Sequence, residues 1–161
     1  MKRVLVILLT AVVIFAFAGC GGETEPEEKA PSDNGALGNY EVAIKDYELV
    51  KNYDGKDTIA VSIDFTNNSD EAASFDVAMM CDAFQDGVEL DTTSVYTDEE
   101  SFDCMDDDTS KQIKPGKTIE IIVTKELENT TSPVDVEVEE FLGNGDKVVK
   151  TFELEKYDYT Y

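Results

Sequence analysis

The chain has 161 residues, with 13 basic and 36 acidic side chains for a formal charge of −23, and it contains neither histidine nor tryptophan. That balance excludes nucleic acid and an anionic lipid surface as direct partners, because both are polyanions. The missing histidine removes the usual general base at neutral pH, and with it the Ser-His-Asp and Cys-His arrangements.

The first segment is an export signal. Lys2 and Arg3 form a positive start, Val4 to Ala18 are apolar apart from Thr10, and Ala18-Gly19 supply the small residues that precede a cleavage site. The apolar run is about 15 residues where a spanning helix needs about 20, so a permanent membrane helix is the weaker reading. Phe17-Ala18-Gly19-Cys20 resembles the lipobox of bacterial lipoproteins, with Phe17 where an aliphatic residue is usual. The resemblance implies cleavage after residue 19, acylation of Cys20, and a lipid bilayer as partner on the extracytoplasmic face of the cell membrane. Two or more acyl chains hold a protein stably to a bilayer where one is marginal, at about 0.8 kcal/mol per buried CH₂. An ordinary secretory signal with an incidental Cys20 is the alternative.

Residues 20–38 follow as an acidic, flexible linker, since Gly21 to Gly35 contain no large apolar side chain and cannot bury a core. Loss of the signal removes two bases and no acid, leaving 11 against 36, or −25. Residues 39–161 suit one domain of about 120 residues with an independent core.

Within that domain the hydrophobic period is two. Val42 and Ile44 share a phase that Tyr47 and Leu49 break, which predicts a bulge near Lys45-Asp46. Ile59, Val61, Ile63 and Phe65 alternate with Ala60, Ser62 and Asp64. Phase is likewise shared by Phe75, Val77, Met79, Cys81 and Ala83, by Ile119, Ile121 and Val123, and by Val134, Val136 and Val138. Val88 to Val95 and Val148 to Leu154 are further candidates. Asp54-Gly55, Asn67-Asn68-Ser69-Asp70, Asp86-Gly87, Pro115-Gly116 and Gly143-Asn144-Gly145-Asp146 supply turns between strands. About seven short strands with no core helix predict an all-β fold, an immunoglobulin-like antiparallel sandwich, with a small barrel as the alternative. The core tryptophan of immunoglobulin domains is absent.

Tyr40 to Ile44, Ile59 to Glu71, Ala83 to Leu90, Ile113 to Thr118 and Thr130 to Val134 together resemble a bacterial lipoprotein family catalogued as a domain of unknown function. They are similar in plan to extracellular immunoprotective and telokin-like surface domains. The resemblance implies an immunoglobulin-like fold and a surface location, and carries over no catalytic residue.

With Cys20 acylated, Cys81 and Cys104 remain as a pair in an oxidising compartment. A bond closing their loop of about 20 residues would stabilise the domain by about 3 kcal/mol. The plainer reading of Cys81 is a buried thiol beside Val77 and Met79. Residues 98–108 hold seven acids in eleven positions, and Asp103, Asp106 and Asp108 are weak calcium candidates. The EF-hand glycine and terminal glutamate are missing, so a solvated acidic loop is the plainer reading, and no metal site is assigned. Tyr40, Tyr157, Tyr159 and Tyr161 lie near the domain ends and are either a contact patch or a frayed extension. Thirty-six acids offer too many carboxylate pairs to single out a glycosidase pair, and no glycine-rich phosphate loop is present. The expectation is a non-catalytic module without a cofactor that binds a protein or glycan in the envelope or host environment. Its alternative is a structural or accessory envelope lipoprotein, with calcium binding as a sub-case.

Overall fold

The computed structural model describes residues 32–95 and 108–154. Eight strands and one helical turn follow in chain order: β1 (Asn34–Leu37), β2 (Tyr40–Lys51), β3 (Asp57–Asn67), α1 (Phe75–Ala78), β4 (Met79–Gln85), β5 (Val88–Glu89), β6 (Lys117–Glu126), β7 (Val134–Glu140) and β8 (Lys147–Phe152). A 3-10 turn covers Asp108–Ser110.

All strand pairings are antiparallel and fall into two four-stranded sheets, ordered β1-β2-β3-β6 and β5-β4-β7-β8. The chain changes sheet between β3 and β4, between β5 and β6, and between β6 and β7. This is the Greek-key plan of an immunoglobulin-like sandwich, with one of these sheets in each layer. Among the described strands the sheets stay separate, so the barrel alternative falls.

Period-two alternation decides which side chains meet between the layers. Ile59, Val61, Ile63 and Phe65 of β3 are buried with Val42 and Ile44 of β2 and Ile121 of β6, opposite Val134, Val136 and Val138 of β7. Each buried aliphatic side chain of this kind is worth about 1.5–3 kcal/mol of transfer free energy. Aromatic packing centres on Phe65, which stacks with Tyr40 at 5.4 Å and meets Phe75 edge-on at 5.5 Å. The register of β2 against β3 shifts between Ile44 and Tyr47, at the predicted bulge. From β8, Lys150 Nζ reaches across to that bulge, donating to the carbonyl oxygens of Ile44 (3.2 Å) and Lys45.

Three buried amides fix the corners where strands end. Asn67 Nδ2 donates to the carbonyls of Glu71 (2.7 Å) and Ile113 (2.9 Å), while its Oδ1 accepts from the Ser69 N–H and hydroxyl. Gln85 Nε2 donates to the carbonyls of Asn129 and Ser132, both at 2.9 Å. Its Oε1 accepts from the N–H groups of Glu128 (3.0 Å) and Asn129 (3.1 Å). Asn52 Oδ1 accepts from the N–H groups of Asp54 and Lys56, and its Nδ2 donates to Thr93 Oγ1 (3.2 Å) and Glu126 Oε2 (3.0 Å). Satisfied on both ends, such amides order loops at little desolvation cost.

Three expectations are corrected. Strand β1 lies inside the segment read as linker: it pairs with β2 through a two-residue turn whose first residue, Gly38, has φ +58°, so the sheet begins at Asn34 and not at 39. Phe75–Ala78 is a helical turn closed by Ala78 N–H donating to Ser74 O, so Val77 leaves the core row and is 71% exposed. Only Val88–Glu89 of the Val88-to-Val95 candidate pairs as a strand with β4. Leu90 N–H still donates to Ala83 O, after which the chain crosses to the other sheet.

Candidate functional site

That crossing builds a recess on the flank of the sandwich. Residues 91–95 run along the outer edge of β6, held by Glu126 N–H donating to Asp91 O (2.9 Å), Thr93 N–H to Thr124 O (3.3 Å), and the Thr124 hydroxyl to Thr93 O (2.5 Å). Asn52 ties the same segment to the β2–β3 turn. Between the segment, β6 and β4 opens a cleft of about 520 Å³, whose walls include Cys81, Thr92, Ser94, Val123, Thr124 and Lys125, with exposed Tyr53 also on its lining. Hydroxyl-bearing and aliphatic side chains both line it, a composition suited to a small polar ligand or the end of a larger one.

Lys125 is the unusual member. It shares the phase of Ile119, Ile121 and Val123, so β6 carries a lysine on its core-facing row, and the residue is only 6% exposed. Its Nζ donates to the Thr92 hydroxyl at 3.1 Å. Among the described residues it enters no ion pair, whereas Lys45, Lys51, Lys56, Lys111 and Lys147 each have a carboxylate. Lysine is rarely buried without such a partner, because an ammonium taken out of water loses far more than one neutral hydrogen bond returns.

Cys81 projects from β4 into the same cleft and carries a free thiol. Burial pushes that thiol up to about 12; the Lys125 charge pulls it down and Asp82 adds a smaller upward push. A thiol held protonated this strongly is a small apolar wall group and not a nucleophile at neutral pH. The expected bonding partner Cys104 lies outside the described residues, as do Cys20, Asp103, Asp106, Tyr157, Tyr159 and Tyr161. Of the calcium candidates only Asp108 is described, and it opens the 3-10 turn and pairs with Lys111. No group of three or more metal-binding side chains is assembled among the described residues. Tyr40, one of the terminal tyrosines, is half-buried against Phe65 and so belongs to the packing.

A second hollow, of about 560 Å³, lies by α1 between Tyr40, Ser74, Val77, Glu140 and Phe141. Its carboxylates are those of Asp70, Glu71 and Glu140, and it contains no buried cation. Val77, Phe141 and Leu142 stand exposed around this end of the sandwich.

Sequence reasoning singled out Cys81 but missed Lys125 and the Thr92-Thr93-Ser94 wall. The signal for Lys125 was present: a lysine continues, at period two, the row Ile119-Ile121-Val123. The threonine wall had no such signal, because its position depends on the chain leaving one sheet for the other.

Fold and site together define a class: an all-β, two-sheet sandwich with a lateral cleft. Within that class, the chain belongs to the family described as Domain of unknown function (DUF5067), whose profile matches residues 20–140. The fold is similar to a protein from Staphylococcus aureus described as a "putative lipoprotein", at 19% identity and a TM-score of 0.57, over 77% of this chain and 94% of that one. It is also similar to a β-sandwich protein from Clostridium difficile, at 15% identity and a TM-score of 0.52 over 80% and 100% of the two chains. A protein from Enterococcus faecalis has 19% identity and a TM-score of 0.54 over 76% and 90%. At these identities the likeness shows the fold alone. No curated protein matches the chain.

Proposed function

We propose that this protein is a cell-surface lipoprotein: a non-catalytic immunoglobulin-like module, acylated at Cys20 and held on the extracytoplasmic face of the cell membrane, that binds a protein or glycan in the envelope or host environment. The observation that carries the binding role is the lateral cleft, lined by hydroxyl-bearing side chains and by the buried Lys125. The export signal and the Ala18-Gly19-Cys20 sequence support the anchor, and the staphylococcal protein's description agrees with it. The likeness to telokin-like surface domains belongs to the same reading. Catalysis has little support: the chain has no histidine and the Cys81 thiol stays protonated.

The test is binding of the mature chain, carrying Cys20→Ser to prevent acylation, to arrays of envelope glycans and short peptides. The cleft-blocking variant Ser94→Trp is compared with Leu142→Trp, which lies outside the cleft. Binding lost in Ser94→Trp and kept in Leu142→Trp is the expected result. Binding that Ser94→Trp leaves intact removes the cleft from the account.

A second reading, an accessory lipoprotein that supports a larger envelope assembly, is favoured by exposed Val77, Phe141 and Leu142 beside the second hollow. Recovery only within a membrane complex, with those residues protected from solvent, would establish it.

A further inference from the structure

Among the described residues Lys125 is a cation without a counter-charge, in a chain with 36 acids. Its side chain is 6% exposed, its Nζ has the Thr92 hydroxyl as its one hydrogen-bond partner among the described residues, and no described carboxylate lies within ion-pair distance. An ammonium has three donors, so the described residues leave two N–H directions to another acceptor. Lys125 lines a cleft of about 520 Å³ whose other lining residues include Thr92, Ser94 and Thr124 and, on its apolar side, Val123 and Cys81.

Resting on the reading of this cleft as the binding site, we propose that Lys125 receives the carboxylate of the ligand: a monoanionic organic acid, free or at the end of a peptide or glycan, with a short apolar group beside the acid. The carboxylate supplies the missing ion pair in a partly desolvated site, where a charge-assisted bond is about twice as strong as a neutral one. The Thr92 and Ser94 hydroxyls donate to its remaining lone pairs, the Thr124 hydrogen being engaged by Thr93 O, and Val123 with the protonated Cys81 thiol takes the apolar group. A single ammonium suits a monoanion better than a phosphate dianion, which calls for several donors and is repelled twice as strongly by a chain of charge −23.

The competing account of Lys125 is structural. Its bond to the Thr92 hydroxyl helps to hold residues 91–95 against β6. The two accounts separate on ligand binding and on stability.

The experiment is a ¹H–¹⁵N NMR titration of the mature chain carrying Cys20→Ser with N-acetylleucine, its neutral amide and inorganic phosphate at matched ionic strength. It is repeated with Lys125→Met and Lys125→Arg. Expected is saturable movement of the Thr92, Thr124 and Lys125 signals with the acid, at least tenfold weaker binding of the amide and of phosphate, and loss of the acid preference in Lys125→Met with retention in Lys125→Arg. Lys125→Met is also expected to melt higher than the parent, because an unpaired buried charge is replaced by an apolar side chain of similar length.

Equal binding of acid and amide at the same signals, or acid binding unchanged by Lys125→Met, overturns the proposal while leaving the cleft as a binding site. Phosphate binding as tight as the acid overturns the choice of carboxylate. No saturable movement with the acid, together with a lower melting temperature of Lys125→Met, assigns Lys125 to holding residues 91–95 against β6; the array experiment then judges the cleft separately.

Discussion

Gln85 is 1% exposed and occupies both of its donors and both acceptor directions on the backbone of the β6–β7 connection. Gln85→Met keeps the volume but orphans two N–H groups and two carbonyls, and should lower stability by about 2–4 kcal/mol, read as a shift of the urea midpoint at constant slope. Cys81 gives a prediction in pH. Its folded thiol holds its proton more tightly than the unfolded thiol, whose ordinary value is near 9, so it contributes stability that is complete below that value and is lost as pH rises toward about 12. The stability difference between the parent and Cys81→Ala should be flat through neutral pH and should shrink above about pH 9, by at most about 1.4 kcal/mol per pH unit. A flat difference to pH 11 would show that the thiol is not desolvated. Gly38 tests close packing: a Cβ there would come within 2.2 Å of the Glu140 carboxylate, at a φ of +58°. Gly38→Ala should cost about 1–2 kcal/mol, and Glu140→Ala in the same chain should return only the steric part, since the backbone strain remains.

At the scale of elements, the start of β4 shows where periodicity misleads. Phe75, Val77, Met79, Cys81 and Ala83 share one phase, yet the chain reaches Met79 through a helical turn that keeps Phe75 and Met79 in the core and turns Val77 out. Val77→Lys should therefore change stability by less than about 0.5 kcal/mol, while Met79→Ala should cost about 2–5 kcal/mol. Comparable costs at the two sites would restore a continuous strand. A turn of four residues is too short to leave a helical period, which is why the sequence reads as a strand there. Strand β1 escaped for a different reason: Asn34-Gly35-Ala36-Leu37 has only Leu37 as a large apolar residue, and its place comes from hairpin pairing with β2. By contrast the β3 and β7 rows, the β2 bulge and the Asp86-Gly87 hairpin were legible, because two-residue alternation and turn chemistry are local. Asp86 and Gly87 have φ of +52° and +79°, as a two-residue hairpin of this kind needs. The cleft was not legible as a whole, since it forms where residues 91–95 cross between sheets. Cys81 and the out-of-pattern Lys125 were its local traces.

For the whole molecule, net negative charge governs behaviour outside the core. A chain of −23, or −25 once the signal is lost, repels itself in the folded state. Raising salt from about 10 mM to about 200 mM shortens the Debye length from about 30 Å to under 10 Å and should raise the melting temperature. A melting temperature that falls with salt would mean that the surface ion pairs outweigh this repulsion. The same negative field turns generic anions away, so the cleft admits one only where Lys125 answers it. The sandwich begins at Asn34, and in the proposed lipoprotein an acylated Cys20 would fix it, through the acidic segment between, to the membrane. The most direct measurement is the intact mass and N-terminal sequence of the mature protein extracted from its native membrane. The account predicts a chain that starts at Cys20 and carries the added mass of acyl groups on that residue. A chain cut elsewhere, or one that starts at Cys20 without acylation and is recovered from the medium, would contradict it.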